Sequence, residues 1–223
     1  VYVLVINWNG LEHLEACFDS LCRSTYANLR LLLIDNASTD ASLDFVRQRY
    51  GADPRVEILP LQENAGWSGG NNAGIRHAVK RGADYLFLLN NDTWTAEDCV
   101  SRLVAMAESR PAAALLAPKM LMFDAPHILN SVGLECSLIG ACWDRGIGRH
   151  DHGQYDVPAR SIGVCGGAMF IRAAVLAEVG ELPEAFGIYL DDLDLCLRAI
   201  NAGHEIWTCP QARVHHKFSA GFG

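Results

Sequence analysis

The chain has 223 residues, of which 50% are hydrophobic and 20% are charged, so it can form one domain with a sizeable core and is not intrinsically disordered. Its formal net charge of −8 argues against binding to a nucleic-acid backbone. It does not argue against a nucleotide, because a bound metal ion could reverse the sign of the charge at the binding site. No segment approaches the roughly 20 apolar residues that a membrane-spanning helix needs.

Strands and helices alternate through the first half of the sequence. Apolar runs predict strands at Val1–Ile6, Leu29–Ile34, Val56–Leu59 and Tyr85–Leu89. Helical spacing predicts helices at Leu11–Leu21, Ala41–Tyr50, Gly69–Arg81 and Ala96–Ser109. This alternation is typical of βαβ units, so we predict a largely parallel sheet with right-handed crossovers.

The second half is less regular, and its pattern favours an antiparallel portion of the same domain. The predicted elements are strands at 113–123, 129–136, 162–171 and 205–208, helices at 173–179 and 193–201, and a polar loop at 140–160. There are no internal repeats and no low-complexity linkers. We therefore predict a single α/β domain.

The predicted strand Tyr85–Leu89 ends abruptly in Asn90, Asn91 and Asp92. The carboxyl ends of parallel strands form the ligand-binding edge of open α/β sheets. Hard divalent cations prefer oxygen ligands, which they share with substrate phosphates. The alternative is a polar loop in which Thr95 caps the following helix. This segment alone leaves both interpretations open.

Two other predicted strands also end in polar clusters, NWNG at 7–10 and DNASTD at 35–40. Ser38, Thr39 and Asp40 suit the start of the next helix. Asp35 lies too early to cap that helix and is well placed to accept hydrogen bonds from a ligand. Trp8 would add an apolar or stacking wall beside it.

The segment 64–74 is rich in glycine and asparagine and leads into a helix. Consecutive backbone N–H groups at a helix start make a binding site for anions. A flexible turn would have the same composition, and on this segment alone we favour the turn.

Asp191, Asp192 and Asp194 place three carboxylates within four residues at the start of an apolar helix. These charges repel each other unless they have a use, although acidic residues also suit a first helical turn. The functional interpretation is a general base with a second carboxylate that orients the substrate. Further along, His215 and His216 are either inert surface residues or ligands of a metal ion.

The order and spacing of these motifs resemble the family-2 glycosyltransferases of the GT-A fold. The resemblance rests on NWNG at 7–10, IDNASTD at 34–40, ENAGWSGGNNAG at 63–74, LLNNDT at 88–93, CGGAMFIR at 165–172, LDDLDLCLR at 190–198 and PQARVHH at 210–216. The loop RGIGRHDHGQYD at 145–156 is similar to the bacterial subset called rhamnosyltransferase-like. The resemblance spans nearly the whole chain.

The resemblance implies a GT-A (Rossmann-like) three-layer domain over 1–223, with a nucleotide-binding half at about 1–110 and an acceptor half at about 111–223. Such enzymes move a sugar from a nucleoside diphosphate to an acceptor hydroxyl, invert the anomeric carbon and use Mg²⁺ or Mn²⁺. The implied partners are a UDP- or dTDP-sugar and a saccharide or lipid-linked saccharide of bacterial cell-surface polysaccharide or glycolipid synthesis.

The resemblance also assigns roles to individual residues. Asp192 would be the catalytic base, Asp191 would orient the acceptor, and Asp92 and His216 would hold the metal ion. His215 falls at a variable position. The nucleotide-binding residues would be Asn7, Trp8, Asn9, Asp35, Asn64, Gly66, Asn71 and Asn91. In the 137–160 loop, Trp143, Arg145 and Tyr155 are expected to contact the acceptor.

One position departs from the family pattern. Asn90 stands where the family's Asp-x-Asp motif has its first aspartate. An amide is a weaker cation ligand than a carboxylate, so we expect modest metal affinity that depends on bound diphosphate.

Two alternatives remain. A nucleotidyltransferase would make the sugar nucleotide, but that chemistry usually has a basic phosphate loop, and NWNG contains no Lys or Arg. The other alternative is a degenerate module that binds nucleotide sugars. Asn90 supports it, and the intact pair Asp191 and Asp192 opposes it.

Cysteine usage and the chain ends give an expectation about location. The eight cysteines include no CxxC pair and lie mostly in apolar runs, so we predict buried free thiols in a reducing cytosol. The chain starts on a strand without a signal-peptide pattern and stops shortly after His216, which predicts a cytoplasmic fragment. Association with the inner face of the membrane is left open, as is the oligomeric state.

Overall fold

The computed structural model describes residues 1–186 and 190–218. Its strands are β1 (Tyr2–Asn7), β2 (Arg30–Asp35), β3 (Val56–Pro60), β4 (Tyr85–Asn90), β5 (Thr93–Thr95), β6 (Ala113–Met122), β7 (Leu129–Ser131), β8 (Leu134–Cys136), β9 (Cys142–Asp144), β10 (Ala168–Arg172) and β11 (Glu205–His216). Its helices are α1 (Leu11–Cys22), α2 (Ser42–Tyr50), α3 (Gly66–Lys80), α4 (Cys99–Ser109), α5 (Leu176–Val179) and α6 (Asp191–Asn201). Two 3₁₀ turns lie at Ala173–Val175 and Glu184–Phe186. None of the helices in these two ranges is long and apolar enough to cross a membrane.

The central sheet has nine strands, in the order β3-β2-β1-β4-β10-β6-β11-β5, with β7 paired to β6. The strands β1 to β4 are mutually parallel, whereas β10 runs antiparallel between β4 and β6. This confirms the predicted mostly parallel sheet with a smaller antiparallel portion. The register pairs Asn7 with Asp35 and Ile6 with Asn90, so three polar strand ends meet at one edge.

Helices cover both faces of the sheet because its central strands are apolar on both sides. Alternate residues of a strand point to opposite faces. Val3 therefore packs in the cluster that contains Phe18 of α1, while Leu4 packs in the cluster that contains Ile75 of α3. Full burial of each such side chain contributes about 1.5–3 kcal/mol. The result is the predicted three-layer arrangement.

The largest difference from the sequence prediction lies in β11, predicted as 205–208 but extending to His216. A register shift between Cys209 and Arg213 accommodates Pro210, so the strand continues past a residue that normally ends one. The short strand β5 was missed because it forms only by pairing with β11. Thr95 lies in β5 and does not cap α4, which begins at Cys99.

The prediction that the cysteines are free thiols was wrong for two of the eight. Cys136 and Cys142 are direct cross-strand partners in the β8–β9 hairpin and form a disulfide. A pair six residues apart gives no signal until the hairpin brings the two side chains together. The other six are free, and burial raises the pKa of Cys17 and Cys196 to about 12, which keeps these thiols protonated.

Candidate active site

Asn7, at the end of β1, ties three strand ends together. Its Nδ2 donates to Ser38 Oγ at 3.1 Å and lies 3.5 Å from Asp35 Oδ1. Its Oδ1 accepts from Asn91 Nδ2 at 2.6 Å. Because Asn7 and Asp35 are 1% and 3% exposed, a buried hydrogen-bond network fixes this edge in place.

The loop after β1 leaves an aromatic ring exposed beside that network. Asn9 adopts a left-handed φ of 50°, which asparagine tolerates better than most residues. Its Oδ1 accepts hydrogen bonds from the backbone N–H groups of Thr39 (2.7 Å) and Asp40 (3.3 Å). Asn9 thus braces two loops, while Trp8 remains 57% exposed and free to stack on a planar ligand.

Asp40 satisfies the first N–H groups of two helices. Its Oδ1 accepts from the Ser42 N–H at the start of α2 (3.0 Å), and its Oδ2 accepts from the Leu11 N–H at the start of α1 (3.2 Å). This supports the helix-start interpretation of Asp40.

Glycines in the 64–74 segment let α3 lie close against the sheet. A Cβ added at Gly70 would lie 2.6 Å from Ile6, and one added at Gly74 would lie 2.3 Å from Ile34. These two glycines therefore allow the helix to pack closely against the sheet. This role differs from both interpretations of the sequence, the flexible turn and the anion site. Asn71 is fully buried in the same helix, with its Nδ2 bound to a backbone carbonyl, so the structure does not bring it to the site surface.

The beginning of α3 is held by asparagine side chains. Asn36 Nδ2 donates to Asn64 Oδ1 (2.8 Å) and to the Gly66 carbonyl (3.1 Å). Asn64 Oδ1 also accepts from the Gly66 N–H at 2.9 Å. The predicted nucleotide residues Asn64 and Gly66 therefore lie together, next to the end of β2.

Trp67 is a site residue that the sequence analysis missed. Its Nε1 donates to Asn90 Oδ1 at 2.9 Å. A Cβ added at Gly166 would lie 3.0 Å from the Trp67 ring and 3.4 Å from Asp192 Oδ2. The indole therefore extends from the end of β4 to Gly166, the residue whose N–H binds the Asp192 carboxylate. A large aromatic residue between glycines at a helix start was the available signal.

Asp192 lies at the start of α6 with both carboxylate oxygens bound to backbone N–H groups. Oδ2 accepts from Gly166 at 2.8 Å, and Oδ1 accepts from Leu193 at 2.7 Å. Burial raises the pKa of Asp192 to about 6, helped by the nearby charges of Asp191 and Asp144 and opposed by these N–H bonds. Such a carboxylate is ionised at neutral pH yet more basic than an ordinary aspartate, as a general base requires.

Asp191 is connected to helix α3. Its Oδ2 accepts a hydrogen bond from Ser68 Oγ, and its Oδ1 accepts from the Asp192 N–H at 3.1 Å. The residue is 5% exposed. Both oxygens of Asp191 are therefore engaged within the protein, and Ser68 is a second residue that the sequence analysis missed.

Asp92 and His216 meet in a buried pair, with His216 Nε2 3.2 Å from Asp92 Oδ1. His216 Nδ1 lies 2.8 Å from Asn130 Oδ1, and Nε2 faces Asp92. Either a proton or a metal ion between Nε2 and Oδ1 satisfies both atoms.

A divalent cation fits this pair. Adjacent ligands of an octahedral ion with bonds of about 2.1 Å lie about 3 Å apart, close to the separation of the two donor atoms. Within residues 1–186 and 190–218, no group of three or more His, Cys, Asp or Glu side chains could hold an ion. The protein would thus supply two ligands, and substrate oxygens and water would supply the others.

His215 points away from this pair. Its ring lies 5.0 Å from the Trp94 ring, and burial lowers the pKa of its imidazole. Adjacent residues of a strand face opposite sides, which explains why only one histidine of the pair reaches Asp92.

Lys217, a positively charged residue that the sequence analysis missed, is bonded to the backbone of Asp92. The Lys217 N–H donates to the Asp92 carbonyl at 3.1 Å. Lys217 Nζ is 3.2 Å from Nδ1 of His13, a buried residue of α1. Burial and the Lys217 charge lower the pKa of His13, so the neutral imidazole accepts from the ammonium group.

The three predicted acceptor residues lie in different settings. Trp143 is 45% exposed on β9. The Arg145 side chain is 14% exposed, with Nε 3.7 Å from Glu135 Oε1. Tyr155 packs against a small hydrophobic cluster beside β7. Of the three, Trp143 alone presents a large exposed surface.

Lys119 of β6 anchors the 145–156 loop. Its side chain is fully buried, and Nζ donates to Asp151 Oδ1 and Oδ2 at 3.0 and 2.9 Å and to Asp156 Oδ1 at 2.5 Å. Both carboxylates of this loop, which resembles the rhamnosyltransferase-like subset, thus form internal ion pairs with Lys119. A lone lysine in an apolar strand gave no sequence signal for this role.

We expect Lys119→Met to lower the free energy of unfolding by about 2 kcal/mol. Breaking a fully buried pair costs about 3–5 kcal/mol, but the side chain of Asp156 is 52% exposed and water can solvate part of the unpaired charge. Urea unfolding would measure the change. Asp156→Asn leaves the pair between Lys119 and Asp151 intact and should lower the free energy of unfolding by less than about 1 kcal/mol. Equal stability of Lys119→Met and the parent would contradict this anchoring role.

Comparison with known proteins identifies the family. The protein y4gI of Sinorhizobium fredii is 29% identical over 241 residues, which cover 100% of this chain and 25% of that protein. The N-acetylglucosaminyl-diphospho-decaprenol L-rhamnosyltransferase of Mycobacterium tuberculosis is 26% identical over 96% of this chain and 75% of its own length. The chain thus spans a quarter of the first relative and three quarters of the second.

A solved structure supports the fold independently. GalNAc-T7 with UDP, GalNAc and Mn²⁺ superposes with a TM-score of 0.78 at 16% sequence identity, over 96% of this chain and 43% of that one. The fold is therefore GT-A, as the resemblance implied. The model of glycosyl transferase family 2 matches residues 2–178. The chain belongs to glycosyl transferase family 2.

Proposed function

We propose that this chain transfers a sugar from a UDP- or dTDP-sugar to an acceptor hydroxyl, with inversion at the anomeric carbon. The observation that carries the proposal is the arrangement around Trp67. Its indole binds Asn90, at the end of the strand that leads to Asp92, and packs against Gly166, whose N–H binds the basic carboxylate of Asp192. A displacement needs such a base on one side of the anomeric carbon and a diphosphate site on the other.

The nucleotide would lie along the polar edge at the ends of β1, β2 and β4. Trp8 is exposed and available to stack on the base, and Asn64 and Gly66 lie next to the network of Asn7 and Asp35. The diphosphate would reach Asp92 and His216. This arrangement extends the nucleotide from the exposed indole of Trp8 to the buried pair.

The protein's own residues would carry the proton and position the reactants. Asp192 takes the proton of the acceptor hydroxyl while that oxygen bonds to the anomeric carbon. The bond from this carbon to the diphosphate breaks, and its electron pair leaves with the diphosphate. Ser68 holds Asp191, and the Oδ1 atom of Asp191 accepts the backbone N–H of Asp192.

Asp92 and His216 would hold Mg²⁺ or Mn²⁺ together with the donor diphosphate. When bound, the ion neutralises the negative charge that develops on the leaving group. Because one base suffices for inversion, two carboxylates that flank the bond, as in hydrolases, are not required.

The acceptor would be a saccharide or lipid-linked saccharide of bacterial cell-surface polysaccharide or glycolipid synthesis. The relative named for its decaprenol-linked substrate supports this class. Trp143 is the first residue to test, because it presents exposed aromatic surface. Arg145 and Tyr155 are less exposed and remain proposed contacts. The enzyme would work at the cytoplasmic face of the membrane.

A ligand screen tests the donor class. UDP, dTDP and GDP sugars are compared by thermal shift, with Mn²⁺ or with EDTA, and binders are then assayed for transfer to acceptor sugars. A bound donor at a hundred times its dissociation constant should add about 2.7 kcal/mol of stability. A crystal soak that puts the nucleotide at the opposite edge of the sheet would overturn the proposal. Binding without transfer would favour a non-catalytic nucleotide-sugar module.

A further inference from the structure

The orientation of the Asn90 side chain bears on how the donor is bound. Asn90 ends β4, two residues before Asp92, and its Oδ1 accepts a hydrogen bond from Trp67 Nε1 at 2.9 Å. An indole N–H can only donate, so the carboxamide atom that faces it must be the oxygen. The NH₂ group is therefore turned away from the indole.

That NH₂ group has no use inside the protein. Within residues 1–186 and 190–218, Asn90 Nδ2 has no protein acceptor, and it is not among the buried polar atoms that lack a partner. The backbone of Asn90 is separately satisfied, since its N–H donates to Gly167 and its carbonyl accepts from Thr93 Oγ1. The carboxamide is thus fixed by one bond and presents two N–H donors on its other side.

An NH₂ group cannot coordinate a cation, because it has no lone pair to offer. A cation is therefore disfavoured at this atom, whereas an oxygen that accepts hydrogen bonds is favoured. The oxygen that could serve as a weak cation ligand at position 90 is thus bound to the indole, and the group on the other side of the amide is a hydrogen-bond donor.

The local charge agrees with this assignment. An aspartate at position 90 would add a second negative charge beside Asp92, and a cation would be needed to offset both. With asparagine, Asp92 is the only carboxylate of the motif. A diphosphate would thus meet less repulsion in the absence of a cation.

We propose that Asn90, held in one orientation by Trp67, donates a hydrogen bond to an oxygen of the nucleotide-sugar donor and is not a ligand of the metal ion. This rests on the proposed function, which supplies the donor. The oxygen belongs either to the diphosphate or to a hydroxyl of the sugar. Trp67 is a positioning residue, and part of the donor affinity is independent of metal.

Calorimetry on Asn90→Ala and Asn90→Asp tests the proposal. UDP and dTDP are titrated, followed by a sugar nucleotide of whichever binds the parent more tightly, each with EDTA and with Mn²⁺. Asn90→Ala should weaken binding by a similar factor in both conditions, roughly five- to tenfold, because a hydrogen bond is lost. Asn90→Asp keeps the bond from Trp67 but turns a carboxylate toward the donor. Its affinity should fall at least about tenfold in EDTA and recover with Mn²⁺.

Trp67→Phe serves as the positioning control. It keeps an aromatic ring against Gly166 but removes the indole N–H, so Asn90 can rotate. Donor affinity should fall about two- to fivefold in EDTA. The double variant Trp67→Phe with Asn90→Ala should bind the donor about as weakly as Asn90→Ala alone, because there is no longer an amide to orient at position 90. Full additivity would show that Trp67 acts independently, which overturns its positioning role.

The remaining outcomes separate the two possible contacts and the two proposals. A loss in Asn90→Ala with nucleoside diphosphate and sugar nucleotide alike assigns the contact to a phosphate oxygen, and a loss with the sugar nucleotide alone assigns it to the sugar. Both support the proposal. A loss only with Mn²⁺, or parent-like affinity of both Asn90 variants, overturns it. A parent that binds none of these nucleotides contradicts the proposed function itself.

Discussion

Asp192→Asn should lower the rate of sugar transfer by about 100- to 10,000-fold while leaving donor affinity within a few-fold. A general base typically contributes a factor of this size, because it removes the proton as the acceptor oxygen attacks. The asparagine side chain can keep the bond from the Gly166 N–H through its oxygen, so the start of α6 should remain in place. Single-turnover transfer at saturating acceptor, with calorimetry of donor binding, gives both quantities.

The pH profile gives a second measurement of the same role. Burial raises the pKa of Asp192 to about 6, and only the ionised carboxylate can accept a proton. The parent kcat/KM should therefore rise with pH through about 6 and level off above about 7. The residual activity of Asp192→Asn should lack this acidic limb.

Asp194→Asn is a matched control on the same helix. Asp194 Oδ2 accepts from Arg198 Nε at 2.7 Å and so serves an intrahelical ion pair. Its loss should reduce stability by less than about 1 kcal/mol and leave the transfer rate near that of the parent. If Asp192→Asn instead keeps near-normal turnover at saturating acceptor, Asp192 is not the base and Asp191 becomes the candidate.

Asp92→Ala should remove the Mn²⁺-dependent part of nucleotide affinity, a loss of about 10- to 100-fold in Mn²⁺. Asp92 is 8% exposed and lies 3.2 Å from His216 Nε2, so it is aimed at the point where a cation would be shared. His216→Ala should weaken binding less, because a carboxylate carries charge that an imidazole lacks. Calorimetry with Mn²⁺ and with EDTA measures both variants.

His215→Ala is the control for this pair. Its ring contacts Trp94 on the opposite side of β11, so nucleotide affinity should match that of the parent in both conditions. Affinity that is the same with Mn²⁺ and EDTA for the parent, Asp92→Ala and His216→Ala would mean that the mechanism is independent of metal.

The strand ends of the N-terminal half were predictable because they depend on local patterns. Unbroken apolar runs define β1, β2 and β4, and parallel pairing then forces Asn7 and Asp35 to the same edge. The order of the motifs was enough to identify the family, which the family model confirms. Fold class and family thus follow from patterns within the sequence.

The missed contacts are pairings between distant residues. Ser68 and Asp191 are 123 positions apart, and Lys119 is 32 positions from Asp151, so no local pattern links either pair. Spacing shows that a carboxylate follows a strand, but it does not show which hydrogen-bond donor that carboxylate will bind. The role of Asn90 depends on the indole of Trp67 in the same way, because the indole alone decides which side of the amide faces the site.

The buried Lys119 limits how the 145–156 loop, which we propose lies near the acceptor, can be redesigned. A loop grafted from another transferase would replace Asp151 and Asp156 but leave the lysine on β6. Neutral residues at both positions would leave a buried ammonium group without a partner, at a cost of several kcal/mol. Libraries aimed at new acceptors should therefore hold both aspartates constant and randomise the residues between them. Alternatively, they should exchange the lysine and its partners as one unit.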